Sequence, residues 1–282
     1  MRAVDGVTPV RVTVYQPQYF PRLHYINRVL DTDVFITLDS AQFTRKLKHH
    51  GPDGASTHRS YQAHAPIRLP DGLHLLTVPV RHAGSRTSIA DAEVSYDDPW
   101  VVRHLRTVHS GYSNAARHEA LEPSLRALLQ RQHRTLSDLN LATLLWGINV
   151  VLGFGMAVDE LTLTAVNDAL AAQRRVRLRR IVLASALRTR RPEGQQQGNQ
   201  WIAAMCHELG ATEHLCGGTA EGNYLDKEFF TQQGITPVIQ SWHCQPYPQQ
   251  FANHHGFTPN LSILDLMLNV DAAAAFAILW PA

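Results

Sequence analysis

Apolar and β-branched residues fall into short blocks along this chain, and the spacing inside each block predicts its element. Residues 10–15 are mostly apolar and β-branched and read as a buried strand. Leu23, Ile26, Val29 and Leu30 recur at helical spacing, so residues 22–30 read as a helix. Residues 34–38 read as a second buried strand, ending in Asp39. A strand, a helix and a strand within about 30 residues predict a parallel βαβ unit with a right-handed crossover.

Residues 43–60 are polar and basic, with a Gly51-Pro52-Asp53-Gly54 turn sequence, and read as a surface loop or insertion. Residues 61–68 and 73–80 read as a hairpin across Pro70-Asp71-Gly72, and residues 87–94 as a further strand. From 97 to 154 the pattern is helical: Pro99-Trp100 suits a helix start, and Leu121, Leu125, Leu128 and Leu129 form one apolar stripe. Residues 137–152 form another, ending at Gly153-Phe154-Gly155; both stripes read as core-facing. Residues 173–191 carry Arg174, Arg175, Arg177, Arg179, Arg180, Arg188, Arg190 and Arg191, and read as an exposed helix end feeding a strand, then a Gly/Gln-rich loop over 191–199. A helix at 200–210 stopped by Gly210, a strand at 212–216, a Gly217-Gly218 turn, a helix at 225–233 and a strand at 236–240 follow. Residues 262–269 read as a helix with Ser262 as N-cap and Asp265 completing a capping box. The fold class is therefore α/β, with a central, mostly parallel sheet, flanking helices and a helical insertion. The expected division is an N-terminal α/β part with the motif loop at 1–96, the insertion at 97–154, and a C-terminal α/β part at 155–282 that joins the N-terminal part in one compact unit.

Bulk properties narrow the class. The 282 residues suit one large domain or two smaller ones, at roughly 100–200 residues each. A net charge of +2 is too balanced to point to nucleic acid. No apolar run approaches the roughly 20 residues of a membrane span, and residues 1–9 lack an apolar signal segment. Cys206, Cys216 and Cys244 make an odd number with no disulfide framework, which fits a reducing compartment. A cytoplasmic protein is expected.

The chemistry concentrates at predicted strand ends. Tyr15-Gln16-Pro17-Gln18-Tyr19-Phe20-Pro21 joins strand to helix, and its prolines stiffen a loop rich in large polar groups. Such ends line the ligand crevice of open α/β sheets, which brings in Gln16, Tyr19, Asp39 and Gln42. A second proline-stiffened segment, 241–249, holds His243, Cys244, Tyr247 and Gln249, and is followed by Pro259-Asn260-Leu261-Ser262. Two such loops predict a preorganised pocket with hydroxyl and amide groups. His24, Asp39 and His243 are the acid/base candidates, because histidine titrates near neutrality and a carboxylate can orient it. The basic run is a candidate site for phosphate, carboxylate or a carrier protein.

Other chemistries find less support. The doublets around Cys206, His214, Cys216 and His243 match no standard zinc spacing, so no metal is assigned, although the sequence leaves metal binding there open. No Gly-x-x-x-x-Gly-Lys-Ser/Thr and no clean Gly-x-Gly-x-x-Gly is present. Gly217-Gly218-Thr219-Ala220-Glu221-Gly222 follows a strand, and reads either as an anion-holding loop or as a tight turn. No Gly-x-Ser-x-Gly elbow occurs, and no cysteine has the setting of an activated thiol.

The motif segments together resemble the WbqC-like protein family. They are Gln16-Pro17-x-Tyr19-Phe20-Pro21 with Tyr25, Leu38-Asp39-x-Ala41-Gln42-Phe43, Leu76-Thr77-Val78-Pro79-Val80, Asn223-Tyr224-Leu225-Asp226, His243-x-x-Pro246-Tyr247-x-Gln249 and Pro259-Asn260-Leu261-Ser262-Ile263-x-Asp265. The chain departs from the family at 43–64, where Ala63-His64 stands in place of an Asn-Arg pair, and at Asn199-Gln200, where a Glu-Arg pair is expected. The resemblance implies a biosynthetic enzyme of glycan or natural-product assembly that forms an amide by acyl or aminoacyl transfer to an amine. His243 or His24 would be the general base, and Asp39 would orient it or bind the ammonium. Gln16, Tyr19, Gln42, Asp226, Tyr247, Gln249 and Asn260 would position a small-molecule substrate, with an acyl carrier protein as a candidate partner. The residues name no cofactor. At fold level, the strand–loop–helix with His24 opening the helix is also similar to the loop of HIGH-type nucleotidyltransferases. The alternatives are therefore an ATP-using ligase or nucleotidyltransferase, or a non-catalytic binding protein of a biosynthetic complex.

Overall fold

The structure, a computed structural model, describes residues 9–51, 54–81, 84, 86–192, 197–218, 220 and 223–281. The readings made at 1–8, at Pro52-Asp53, at 193–196 and at Thr219, Glu221 and Gly222 lie outside the described residues.

In chain order the elements are β1 (Arg11–Tyr15), α1 (Leu23–Leu30), β2 (Val34–Thr37), β3 (Lys46–Gly51), β4 (Gly54–Arg59), β5 (His64–Leu69) and β6 (Gly72–Thr77). Then come α2 (Trp100–Tyr112), α3 (His118–Gln130), α4 (Leu136–Leu152), α5 (Leu163–Ala172), β7 (Arg180–Leu183), α6 (Gly198–Glu208) and β8 (Glu213–Cys216). The chain closes with α7 (Lys227–Gln232), β9 (Thr236–Ile239), α8 (Ala252–His255), α9 (Ile263–Asn269) and α10 (Ala272–Leu279). It divides into two compact units: Met1–Tyr15, Arg28–Leu38 and Leu170–Trp242 form the first, and Gln16–Asn27, Asp39–Ala169 and His243–Ala282 the second.

The first unit is built on one five-stranded sheet in the order β7-β2-β1-β8-β9. Every pairing in it is parallel, as the β-branched runs predict. The chain winds from β1 through β2 to β7 at one edge, then returns to the other side of β1 as β8 and β9. The strand order thus reverses between β1 and β8, and in doubly wound sheets the crevice outside the carboxyl ends at that point is where ligands sit. Val12, Val14, Ile36, Trp201, Met205 and Phe230 belong to a single buried cluster. Burial of these apolar side chains is the main favourable term holding this unit together.

The second unit holds two antiparallel hairpins, β3–β4 and β5–β6, with helices α2–α4 and α8–α10. α4 opens with the capping box that Thr135 and Asp138 form, and ends on Gly153 at φ +67°, a left-handed conformation that glycine adopts without strain. Both α9 and α10 pack on α4.

Three expectations are corrected. Within 43–60, residues 46–51 and 54–59 are paired strands and not a loop: Lys46 pairs with Arg59 and Gly51 with Gly54 in a hairpin. A strand pair without apolar alternation leaves no period in the sequence. Residues 87–94 form only isolated bridges, because the Asp91 amide turns back onto the Ser88 carbonyl at 3.2 Å and its Oγ at 3.1 Å, which breaks the strand. At α9 Ser262 is the N-cap residue, but its side chain makes no capping hydrogen bond, and Asp265 is taken by two tyrosines instead.

Candidate functional site

The chemistry of the second unit centres on the loop between β1 and α1 and on the 243–265 segment. His24 opens α1, and Asn260 Oδ1 accepts two hydrogen bonds from it: from the backbone N–H at 2.9 Å and from ring Nδ1 at 2.7 Å. A backbone N–H can only donate, so the amide atom facing it is the oxygen. The ring nitrogen facing the same oxygen must then carry the proton, which leaves Nε2 as the acceptor. Arg22 Nη2 lies 3.4 Å from that Nε2, and its guanidinium stacks 3.6 Å over the Tyr61 ring. Asn260 sits at φ +63° and its amide donates to Cys244 Sγ at 3.3 Å. Phe20, in the facing motif, sits at φ +40°, held by its amide's bond to Thr143 Oγ1 at 3.1 Å. Bulky residues rarely adopt positive φ, and such backbone conformations cluster at functional sites.

Beneath this surface lies a buried polar network. Asp265 is fully buried and accepts from Tyr112 and Tyr247 hydroxyls, each at 2.6 Å, and from Gln249 Nε2 at 3.2 Å. Burial raises its pKa, against the pull of those three donors and of Arg68. Arg68 donates to the Gly256 carbonyl at 2.6 Å and to Thr258 Oγ1, tying down the segment that leads to Asn260.

The predicted residues are placed as follows. His24 and Asn260 are brought together, as are Tyr247 and Gln249. Gln16 Oε1 accepts from Gln62 Nε2 at 2.8 Å. Tyr19 is wholly buried and its hydroxyl bonds His104 Nδ1 at 3.1 Å, while His104 Nε2 donates to the Thr77 carbonyl. Burial lowers the His104 pKa to about 4, so that ring is neutral. Asp39 is buried, Gln42 is exposed and bridges Ser88, and His243 is exposed. Asp226, in the first unit, caps α7 by accepting from the Phe229 amide at 2.9 Å.

In the first unit the basic run is largely engaged with its own chain. Arg177 pairs with Asp33 at 2.9 Å, Arg188 with Glu208 at 3.7 Å, and Arg174, Arg179 and Arg190 donate to nearby carbonyls. Cys206 Sγ lies 4.0 Å from His214 Nδ1, and among the described residues no three His, Cys, Asp or Glu side chains are grouped to hold a metal. No helix among the described residues is long and apolar enough to cross a membrane.

His104, Tyr112, Gln62 and Arg28 take parts the sequence does not advertise. His104 and Tyr112 sit on a helix face that reads as core. Arg28 is the one Arg, Lys, Asp or Glu of α1, and that is its only signal.

The chain is 26% identical over 267 residues to "Uncharacterized protein Rv1507c" of Mycobacterium tuberculosis (strain ATCC 25618 / H37Rv), covering 94% of this chain and 95% of that protein. No solved structure matches it. The model of the WbqC-like protein family matches residues 16–162 and 175–276, which include all six motif segments and the His24–Asn260 pair, and the chain belongs to that family.

Proposed function

We propose that this protein is a biosynthetic enzyme that transfers an acyl or aminoacyl group to an amine, forming an amide in glycan or natural-product assembly. The observation that carries the reading is the ring of His24, fixed by Asn260 Oδ1 at 2.7 Å in the tautomer whose Nε2 is an acceptor and faces Arg22 Nη2 at 3.4 Å. A base held in one tautomer is what amine acylation requires, since an ammonium is not a nucleophile. In the reaction, Nε2 takes a proton from the amine as its nitrogen attacks the acyl carbonyl. The C–N bond forms, the bond to the leaving group breaks, and His24 returns the proton to that group. Arg22 Nη2, which donates to Nε2 at 3.4 Å, turns to the oxygen of the tetrahedral intermediate in this step, which leaves the Nε2 lone pair to the amine's proton and puts positive charge on the oxygen. Of the two histidines, His24 is preferred over the exposed His243, because its orientation is set. Asp39 is assigned to bind the substrate ammonium, whose first proton goes to solvent before the neutral amine attacks and gives its second to Nε2.

A second reading, an ATP-using ligase or nucleotidyltransferase, is favoured by the strand order of the first unit, which reverses at β1 as in nucleotide-binding doubly wound sheets. Incubation of the purified protein with amino sugars and acyl thioesters, with and without ATP, separates the two. Amide formed without ATP, and lost in His24→Gln, supports the transferase; amide formed only with ATP, with release of AMP or ADP, supports the ligase.

A further inference from the structure

Arg28 lies on α1 with its side chain 2% exposed, and its guanidinium stands at the carboxyl ends of three neighbouring strands. It stacks 4.6 Å from the ring of Tyr15, which ends β1. It approaches Gly217, which follows β8, so closely that a Cβ there would sit 2.6 Å from Nη2 and 3.2 Å from Cζ. Nη2 donates to Gln240 Oε1, just past β9, at 2.8 Å. Nε and Nη1 are buried and have no hydrogen-bond partner among the described residues.

No counter-charge is present among the described groups that face it. Burial pushes the Cys216 thiol up to about 12, raises the Tyr224 phenol above its ordinary value, and lowers His214 to about 4, so all three are neutral at pH 7. A guanidinium removed from water without an anion is costly, and a protein that keeps one has a use for it. We propose that Arg28 and the Gly217-Gly218 turn form the anchor of an anion site that takes a phosphate group of a ligand at the point where the strand order reverses. Arginine suits a phosphate oxygen donor-for-acceptor, and the glycine turn brings backbone close to the bound group without a Cβ in the way. The site does not depend on the His24 reading, and either can fail without the other.

The phosphate can belong to a nucleotide or to the phosphopantetheine arm of a thioester, and the test distinguishes them. Inorganic pyrophosphate, ATP, coenzyme A, adenosine and pantetheine are titrated calorimetrically into wild type, Arg28→Gln and Gly217→Ala. The expected result is binding of pyrophosphate and of ATP or coenzyme A, no binding of the phosphate-free controls, and at least a tenfold weaker Kd in Arg28→Gln. Gly217→Ala keeps the charge but displaces the guanidinium, and is expected to weaken binding similarly; it serves alone if Arg28→Gln does not fold. Coenzyme A carries an adenine nucleotide as well as the arm, so binding of ATP assigns a nucleotide whether or not coenzyme A binds, and binding of coenzyme A without ATP assigns the thioester arm. Phosphate-bearing probes that do not bind wild type, or that bind all three proteins equally, overturn the proposal.

Discussion

Asn260 Oδ1 lies 2.7 Å from His24 Nδ1 across 236 residues of sequence, and the same oxygen accepts the His24 amide at 2.9 Å. One side chain thus fixes both the first turn of α1 and the tautomer of its imidazole. Replacing it removes both tasks, and comparing glycine with alanine separates them from the strain of the backbone. Asn260→Gly keeps the left-handed backbone and frees the ring, so kcat is expected to fall while KM changes little. Asn260→Ala has the same kinetic defect and adds about 1–2 kcal/mol of backbone strain at φ +63°. Denaturant midpoints and steady-state kinetics of the two variants check this; equal stability would show that the strain is absent.

Asp265 is the hub of the buried network in the second unit. Asp265→Ala leaves two tyrosine hydroxyls and an amide buried without their acceptor, and is expected to cost about 3–5 kcal/mol. Tyr247→Phe removes one donor and is expected to cost about 1–3 kcal/mol. Chemical denaturation of both singles and the double checks the coupling. The double should cost less than the sum, because its members share one acceptor.

Two neutral histidines set an acid limit. Burial lowers His214, whose Nδ1 donates to the Val12 carbonyl at 3.2 Å, and His104 from 6.5 to about 4. Above pH 6.5 each is neutral whether folded or unfolded, and has no effect. Between 6.5 and about 4 the unfolded chain takes up a proton that the fold refuses, so stability falls as pH falls. The loss reaches about 3 kcal/mol per histidine. His214→Gln should flatten the slope of unfolding free energy over that window; an unchanged slope would assign the acid sensitivity elsewhere.

The three thiols should differ in reactivity. Cys206 and Cys216 are buried, and their thiols are pushed up to about 12, whereas Cys244 is half-exposed beside Asn260. A thiol reagent at pH 8 is expected to label Cys244 alone in the native protein and all three cysteines in denaturant. Fast native labelling of Cys206 or Cys216 would mean that the core of the first unit opens readily.

How much of this was legible follows from where each signal resides. β1, α1 and β2 announce themselves through β-branched runs and a 3.6-residue apolar period, and the parallel sheet follows from them. β3–β4 pairs in register from Lys46–Arg59 to Gly51–Gly54, and its sequence carries no apolar alternation. Residues 87–94 carry strand-like apolar residues, but the Ser88–Asp91 turn overrides them. Asp265 fits a local capping rule, yet Tyr112, far away in sequence, takes its carboxylate. The same limit hides the anchoring of His24: its type and position are visible in sequence, whereas its partner is fixed only by the fold. Arg28 shows the reverse. Only its lone charge in α1 marks it locally, and it gains meaning from Tyr15, Gly217 and Gln240 at the ends of three strands.

His24 is proposed as the base of an amide-forming transfer. The most direct measurement is mass-spectrometric detection of amide from an amino sugar and an acyl thioester without ATP, in wild type and in His24→Gln of matched thermal stability. The account predicts product with wild type and a drop of about 10²–10⁴-fold with His24→Gln. Equal product from the two proteins, or product that requires ATP, would contradict it.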